Sequence, residues 1–263
     1  MLRLRPWVAA AASMVGLALA ACGGHQPAAQ VRTGQLPSVA DVHRHFVDAI
    51  GGPAAVLKPR SITLRGENTI FGAHGKRVPV QVVLYLGDFK RLEVVVVPHA
   101  GHYLSGYDGK TAWSIGPHQP PRIITGDDAA SIRRDADLYY FAHMSQYFKS
   151  MQNVGIESFA GYRCYHLRGT TLWGSENNQY FDVRSGLLIG YRFHQSAGRK
   201  PEEAETRQVF ERYRRFGILS FATRETDFAD NKLVSVGRVN SVMYDDVNPR
   251  VFTPPAAVRA LMH

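Results

Sequence analysis

The chain is poor in cysteine: among 263 residues there are two, Cys22 and Cys164. Two are too few for the disulfide framework of a small secreted scaffold, so a fold of this length must rest on a hydrophobic core. No C-x-x-C, H-E-x-x-H, G-x-S-x-G or phosphate-binding glycine loop occurs, which removes the commonest metal, redox and nucleophile signatures. A bilayer-spanning run is missing as well. The longest apolar stretch, Trp7 to Leu19, holds about thirteen residues against the roughly twenty that a spanning helix needs. Dense basic runs are absent although the formal charge is +9. This excludes nucleic acid as a partner and leaves a scattered positive surplus that favours anionic surfaces such as lipid headgroups. No segment repeats.

What is present begins with an export signal. Arg3 and Arg5 precede the apolar stretch, and small residues follow it, so residues 1–21 read as a leader removed on secretion. Its end, Leu19-Ala20-Ala21-Cys22, resembles the lipobox of bacterial lipoproteins. The resemblance implies that Cys22 is diacylated, becomes the new N-terminus and is acylated again. One acyl chain anchors only marginally, at about 0.8 kcal/mol per buried methylene, whereas two or three hold a protein on the membrane. Gly23 rather than Asp after Cys22 points towards the outer membrane, with the protein facing the periplasm. Residues 22–36 are small, polar and proline-interrupted and read as a lipidated flexible tether with a reach of about 20 Å. Residues 37–263 contain no second linker and read as one domain.

The hydrophobic pattern of that domain starts helical. After Pro37 and the candidate cap Ser38, Val39, Val42, Phe46 and Ile50 recur at helical spacing until Gly51-Gly52 stop the helix. From Arg60 the period falls to two, which marks strands. Val78–Leu86 and Lys90–Val97 form a hairpin. With Gly87-Asp88-Phe89 as its loop, Leu84 stands opposite Leu92, Val82 opposite Val94 and Val80 opposite Val96, on one apolar face. Tyr85, Arg91 and Glu93 then share the other face, and a slip of one residue would place the two charges among the valines. A two-residue turn at Asp108-Gly109 pairs Leu104 with Trp113. Gly116 to Pro121 reads as a loop, and Asp127 to Met151 as one or two helices. Strands resume over 153–159, 162–170, 179–183, 187–194, 205–213, 221–227 and 233–244. About ten to twelve antiparallel strands result, a number at which a sheet must curl.

Isolated polar groups offer little chemistry. Cys164 lies in an alternating run and reads as a small buried residue. His43 and His45 point to different sides of a helix, and His99 with His102 makes a two-nitrogen set too weak for a metal. Asp135-Ala136-Asp137 and Asp245-Asp246 read as solvated. No catalytic residue, metal or cofactor is predicted.

Four segments carry a family resemblance: HFVDAIGG at 45–52, GYDGKTAW at 106–113, GPHQPPRIITGDDAASIRRDADL at 116–138 and FDVRSGLLIGYRF at 181–193. In order and spacing they resemble the outer-membrane lipoprotein-sorting family, relatives of the Lol carriers and receptors. The resemblance implies a mainly β fold with helices, in which a strongly curved antiparallel sheet forms an unclosed barrel lidded by helices around an apolar cavity. The expected function is non-enzymatic: binding or transfer of an acyl chain of a lipid or lipoprotein by burial. The expected cavity residues are Val80, Val82, Leu84, Leu92, Val94, Val96, Leu104 and Trp113, with basic side chains at the rim. The alternative is an envelope scaffold that binds a protein partner and whose core is filled by its own side chains.

Overall fold

The computed structural model describes residues 36–72, 75–194 and 205–262. The leader, Cys22 and all of the tether before Leu36 lie outside the described residues.

Helix α1 (Val39–Ala49) begins where the sequence sets its cap. The Ser38 hydroxyl accepts the Asp41 N–H at 3.1 Å, while the Asp41 carboxylate accepts the Ser38 N–H at 3.3 Å, so two otherwise orphaned donors are satisfied reciprocally. Gly51 and Gly52, at φ 130° and 87°, turn the chain out of the helix into the short α2 (Pro53–Val56). Thirteen strands follow. The first six are β1 (Ser61–Phe71), β2 (Arg77–Gly87), β3 (Lys90–Val97), β4 (Gly101–Tyr107), β5 (Ala112–Gly116) and β6 (Gln119–Ile124). Helices α3 (Gly126–Asp135) and α4 (Tyr140–His143), with a 3-10 turn at Met144–Tyr147, connect them to the other seven. These are β7 (Phe148–Phe159), β8 (Tyr162–Thr171), β9 (Glu176–Asp182), β10 (Leu188–His194), β11 (Glu205–Phe216), β12 (Leu219–Ala229) and β13 (Lys232–Tyr244). A 3-10 turn at Pro249–Phe252 and helix α5 (Ala256–Arg259) end the described chain.

All strands belong to one sheet of order β6-β5-β4-β3-β2-β1-β13-β12-β11-β10-β9-β8-β7. Two antiparallel meanders are joined where β1 pairs with β13, and among the described residues β6 and β7 form the two edges. The fold is therefore mainly β with an unclosed, helix-lidded sheet, as expected. Its curl has a direct sign. Four strand spacings separate β3 from β12, roughly 19 Å on a flat sheet, yet Glu225 of β12 feels the charge of Glu93 on β3. Packing agrees: Leu84 of β2 and Phe210 of β11, also four strand spacings apart, belong to one buried cluster on the concave side.

Strand β6 corrects the expected loop at 116–121. Pro120 and Pro121 cannot donate to a ladder, which hid the strand, but an edge strand pairs on one side alone and tolerates them. The central hairpin is a second correction. Gly87 pairs with Lys90, so the loop is the two residues Asp88 and Phe89, both at positive φ (48° and 54°). Val82 faces Val95, Val83 faces Val94, and Leu84 faces Glu93. At the next hairpin Tyr107 pairs with Ala112, so Leu104 stands opposite Ile115 and Trp113 opposite Gly106, not opposite each other.

Most apolar side chains gather between sheet and helices. Val42, Phe46 and Val47 of α1 with Ile50 at its end, Val56 of α2 and Tyr140 and Phe141 of α4 pack on Leu84 and Leu86 in one half of the sheet and on Phe181, Leu188 and Phe210 in the other. Helix α3 covers Tyr107 and Ala112 through Ala129, Ile132 and Ala136. Cys164 is fully buried with Phe159, Tyr180 and Val209, and burial lifts its thiol to a pKa of about 12. The sequence reading of Cys164 as a buried residue agrees.

Candidate ligand-binding site on the concave face

The observed register divides the eight expected cavity residues between the two faces of the sheet. Val80, Val82 and Leu84 look into the concave side. Leu92, Val94, Val96, Leu104 and Trp113 look outwards, because alternation along β3 places them opposite in phase to Arg91 and Glu93. The outward set, Val96 apart, is packed beneath the C-terminal segment: Phe252 and Val258 close over Leu92 and Trp113, with Val94 and Leu104 beside them. Trp113, 1% exposed, lies flat on Gly106, where an added Cβ would come within 2.5 Å of the indole. These side chains form an outer core between strand and tail.

The concave set is built differently. Val80 and Val82 join Val95 and Val97 of β3, with Ile70, Val78, Ala100 and Tyr103 at the margin. Every member belongs to β1–β4 or the turn joining β3 to β4; among the described residues, no helix contributes to this cluster, whereas the main core and the α3 cluster each have a second layer. Leu84, one step nearer the lid, belongs to the main core. Beside it Leu64, Arg65, Gly66, Val82, Leu84 and Val239 line a cavity of about 10 Å³, room for about one water. Val95 and Val97 escaped the sequence reading because Val94 to Val97 is an unbroken apolar run that carries no phase of its own.

Arg91 and Glu93 do stand among the valines. Their side chains are 4% and 5% exposed and pair at 2.8 Å. Burial raises the Glu93 carboxyl above the ordinary carboxylate range despite the pull of Arg91. The slip that seemed too costly is tolerated because each charge brings its own counter-ion two residues away. Other polar groups line the same face. Gln208, Glu225, Asp227 and Ser235 are buried there, joined through the Gln208 amide, which donates to Glu225 at 3.0 Å and to Asp227 at 3.2 Å. Under α1, His43 meets Gln179 at 3.3 Å, and burial pushes its imidazole down to a pKa of about 4, so it is neutral at physiological pH.

The expectation that Asp135 and Asp137 are solvated is overturned. Asp137 is 6% exposed and accepts from the Tyr147 hydroxyl at 2.7 Å and the Tyr139 N–H at 2.9 Å, with His143 Nδ1 also at 2.9 Å. It pins α4 and the following turn in place. Asp135 pairs with Arg134 at 2.7 Å, and that guanidinium lies over the rings of Tyr140 and Trp173. Asp245 and Asp246 are exposed but bonded, Asp245 accepting the N–H of Arg60 and Ser61 and Asp246 the Thr63 hydroxyl. Among the described residues no group of three or more His, Cys, Asp or Glu is placed to hold a metal, and no helix is long and apolar enough to cross a membrane.

A curved antiparallel sheet, open at β6 and β7 and lidded on one side, is shared with known structures. The fold is LolA-like. A LolA superfamily protein from Nitrosomonas europaea matches 83% of this chain over 99% of its own, at 13% identity and a TM-score of 0.57. A DUF1329 family protein from Desulfovibrio piger matches 81% of this chain over 96% of its own, at 15% identity and a TM-score of 0.55. An outer membrane lipoprotein-sorting protein domain from Vibrio parahaemolyticus matches 73% of this chain over 89% of its own, at 8% identity and a TM-score of 0.51. At such identities the kinship is one of fold. No protein-family model matches the chain, and no curated protein shows significant sequence similarity to it. Within the LolA-like frame the valine cluster lies on the concave side of the sheet, beyond the part that α1, α2 and α4 cover.

Proposed function

We propose that this protein is a lipid-anchored envelope protein that holds an acyl chain of a lipid or lipoprotein against the concave valine cluster, by burial and without covalent chemistry. The observation that carries the reading is the make-up of that cluster. Val80, Val82, Val95 and Val97 form an apolar wall from the sheet alone, in a LolA-like fold whose other inner clusters are capped by helices. Each methylene transferred from water to such a wall contributes about 0.8 kcal/mol, so a chain with half of some sixteen carbons buried gains several kcal/mol. The neighbour described as a lipoprotein-sorting domain supports the same class of ligand.

The test compares faces. In the full-length protein, Val82→Gln and Val95→Gln should weaken binding of a fluorescent fatty-acyl probe about tenfold. Val94→Gln, on the outer face, should change binding less than twofold. Absence of saturable probe binding by the wild-type protein would refute the carrier reading and favour the scaffold alternative with a protein partner. Anchoring is tested separately. Cys22→Ser should abolish acylation and release the protein from membranes, read by fractionation and by mass analysis of the N-terminal peptide. An unmodified Cys22 in wild-type membranes would overturn the anchor.

A further inference from the structure

Beside the valine cluster the concave wall turns polar, which an acyl chain alone does not require. Pairing sets Val80 against Asn68, Asn68 against Gly237 and Gly237 against Glu225. One row along, Ile70 stands against Ser235, Ser235 against Asp227 and Asp227 against Gln208. The wall thus passes within a few strands from aliphatic side chains to two buried carboxyls. The Ser235 hydroxyl donates to Asp227, Gln208 donates to both acids, and burial pushes both carboxyls upwards, Glu225 strongly. The two carboxyls are also hydrogen-bonded to each other, which adds to the upward push on Glu225 and tempers it at Asp227.

Glu93 faces the same space from across the curl. Arg91 holds its Oε2, but its Oε1 is buried and has no hydrogen-bond partner, and its charge is felt at Glu225. Of the two guanidiniums nearby, Arg134 pairs with Asp135 and Arg91 with Glu93, the Arg91 Nε being itself buried without a hydrogen-bond partner. Acid therefore exceeds base: Glu93, Asp135, Glu225 and Asp227 stand against Arg91 and Arg134. A buried surplus of carboxyls is either protonated or met by a cation.

We infer that the ligand of the concave face is an amphiphile whose polar end is a protonated amine, with its apolar chain over Val80, Val82, Val95 and Val97 and its ammonium group among Glu225, Asp227 and the free Oε1 of Glu93. This rests on the acyl-chain reading and adds the class of headgroup. An ammonium carries three donors and a positive charge, which suits three carboxyl acceptors. A hydroxyl head offers one donor and no charge, and an anionic head meets like charges. The expected basic rim is thereby replaced, at this end of the cavity, by an acidic floor.

Displacement of the fluorescent fatty-acyl probe from the full-length protein by dodecylamine, dodecanol and dodecanoate at pH 7 tests the inference. The amine should bind at least tenfold more tightly than the alcohol, and the carboxylate most weakly. In a Glu225→Gln, Asp227→Asn variant, shown by its thermal melt to be folded, the alcohol should bind within twofold of wild type while the preference for amine disappears. Glu93→Gln should lower that preference about threefold, and it decides the matter if the double variant does not fold. Saturable probe binding with no preference for the amine, or a preference unchanged in these variants, overturns the inference and leaves the acyl-chain reading standing. If no amphiphile binds, the acyl-chain reading fails first and the headgroup with it.

Discussion

Replacing Arg91 by methionine keeps the volume of its stem and removes the charge that neutralises Glu93. Both side chains are almost fully buried, so the carboxylate left behind must stay charged without a partner or take up a proton. Protonation is the cheaper course. From an ordinary value of 4.5, holding Glu93 neutral at pH 7 costs at most about 3.4 kcal/mol, at 1.36 kcal/mol per pKa unit. Burial already lifts this carboxyl with Arg91 in place, so the additional loss lies below that ceiling. The pH dependence follows in sign. A carboxyl raised in the folded state makes folding bind a proton, so the deficit grows as pH rises from about 4.5 and shrinks as pH falls. Urea denaturation of Arg91→Met at pH 7 and pH 5.5 should therefore show a smaller loss at the lower pH, and Arg91→Met with Glu93→Leu should recover most of it. A single variant costing less than 1 kcal/mol at pH 7 would refute the reasoning, because that is the cost expected of an exposed pair. The register of β2 and β3 would fall with it.

Other consequences are equally direct. Phe252→Ala should cost about 3–5 kcal/mol and shift Trp113 emission to the red, since Phe252 roofs the outer core; an unchanged emission maximum would place the tail elsewhere. Wild-type stability should fall as pH rises above the ordinary carboxylate range, because burial raises Glu225 and Asp227 in the folded state and folding there binds protons. Glu225→Gln should flatten that slope, as read by urea midpoints. Cys164 should resist alkylation in the native protein and react only on denaturation, and reductant should leave the melting temperature unchanged. Rapid native labelling would mean that the pocket of Phe159, Tyr180 and Val209 opens.

Much of this fold can be read from local chemistry. The Ser38 cap, the Gly51-Gly52 stop and the alternation through β8 to β13 are set by residues a few positions apart, and the structure places them as expected. The hairpin at Gly87 was misphased for a reason that is also local. Its two-residue turn needs positive φ at both positions, where Asn and Gly are the usual markers, and here Phe89 occupies the second. Helix α3 and the C-terminal tail then cover opposite faces of the same strands, so both phases of the alternation are buried and hydrophobicity alone cannot choose between them. The acidic floor was invisible for a longer-range reason. Glu225 and Asp227 alternate along β12 as solvent-facing residues do, and only the pairing of β12 with β11 and β13 turns that face inwards. Of the face proposed to hold the ligand, the inward phase of Val80 and Val82 is legible in the sequence, whereas that of Val95, Val97 and the carboxyls requires the register.

Because the sheet does not close among the described residues, it presents two strand edges there that resemble the growing ends of a fibril. Neither is a clean template. Pro120 and Pro121 deprive β6 of two N–H donors, and β7 is broken by register shifts between Phe148 and Ser150 and between Asn153 and Gly155. A second copy arriving at either edge would meet a ladder with rungs missing or out of step. Growth through the sheet is thus disfavoured at both edges, by different means.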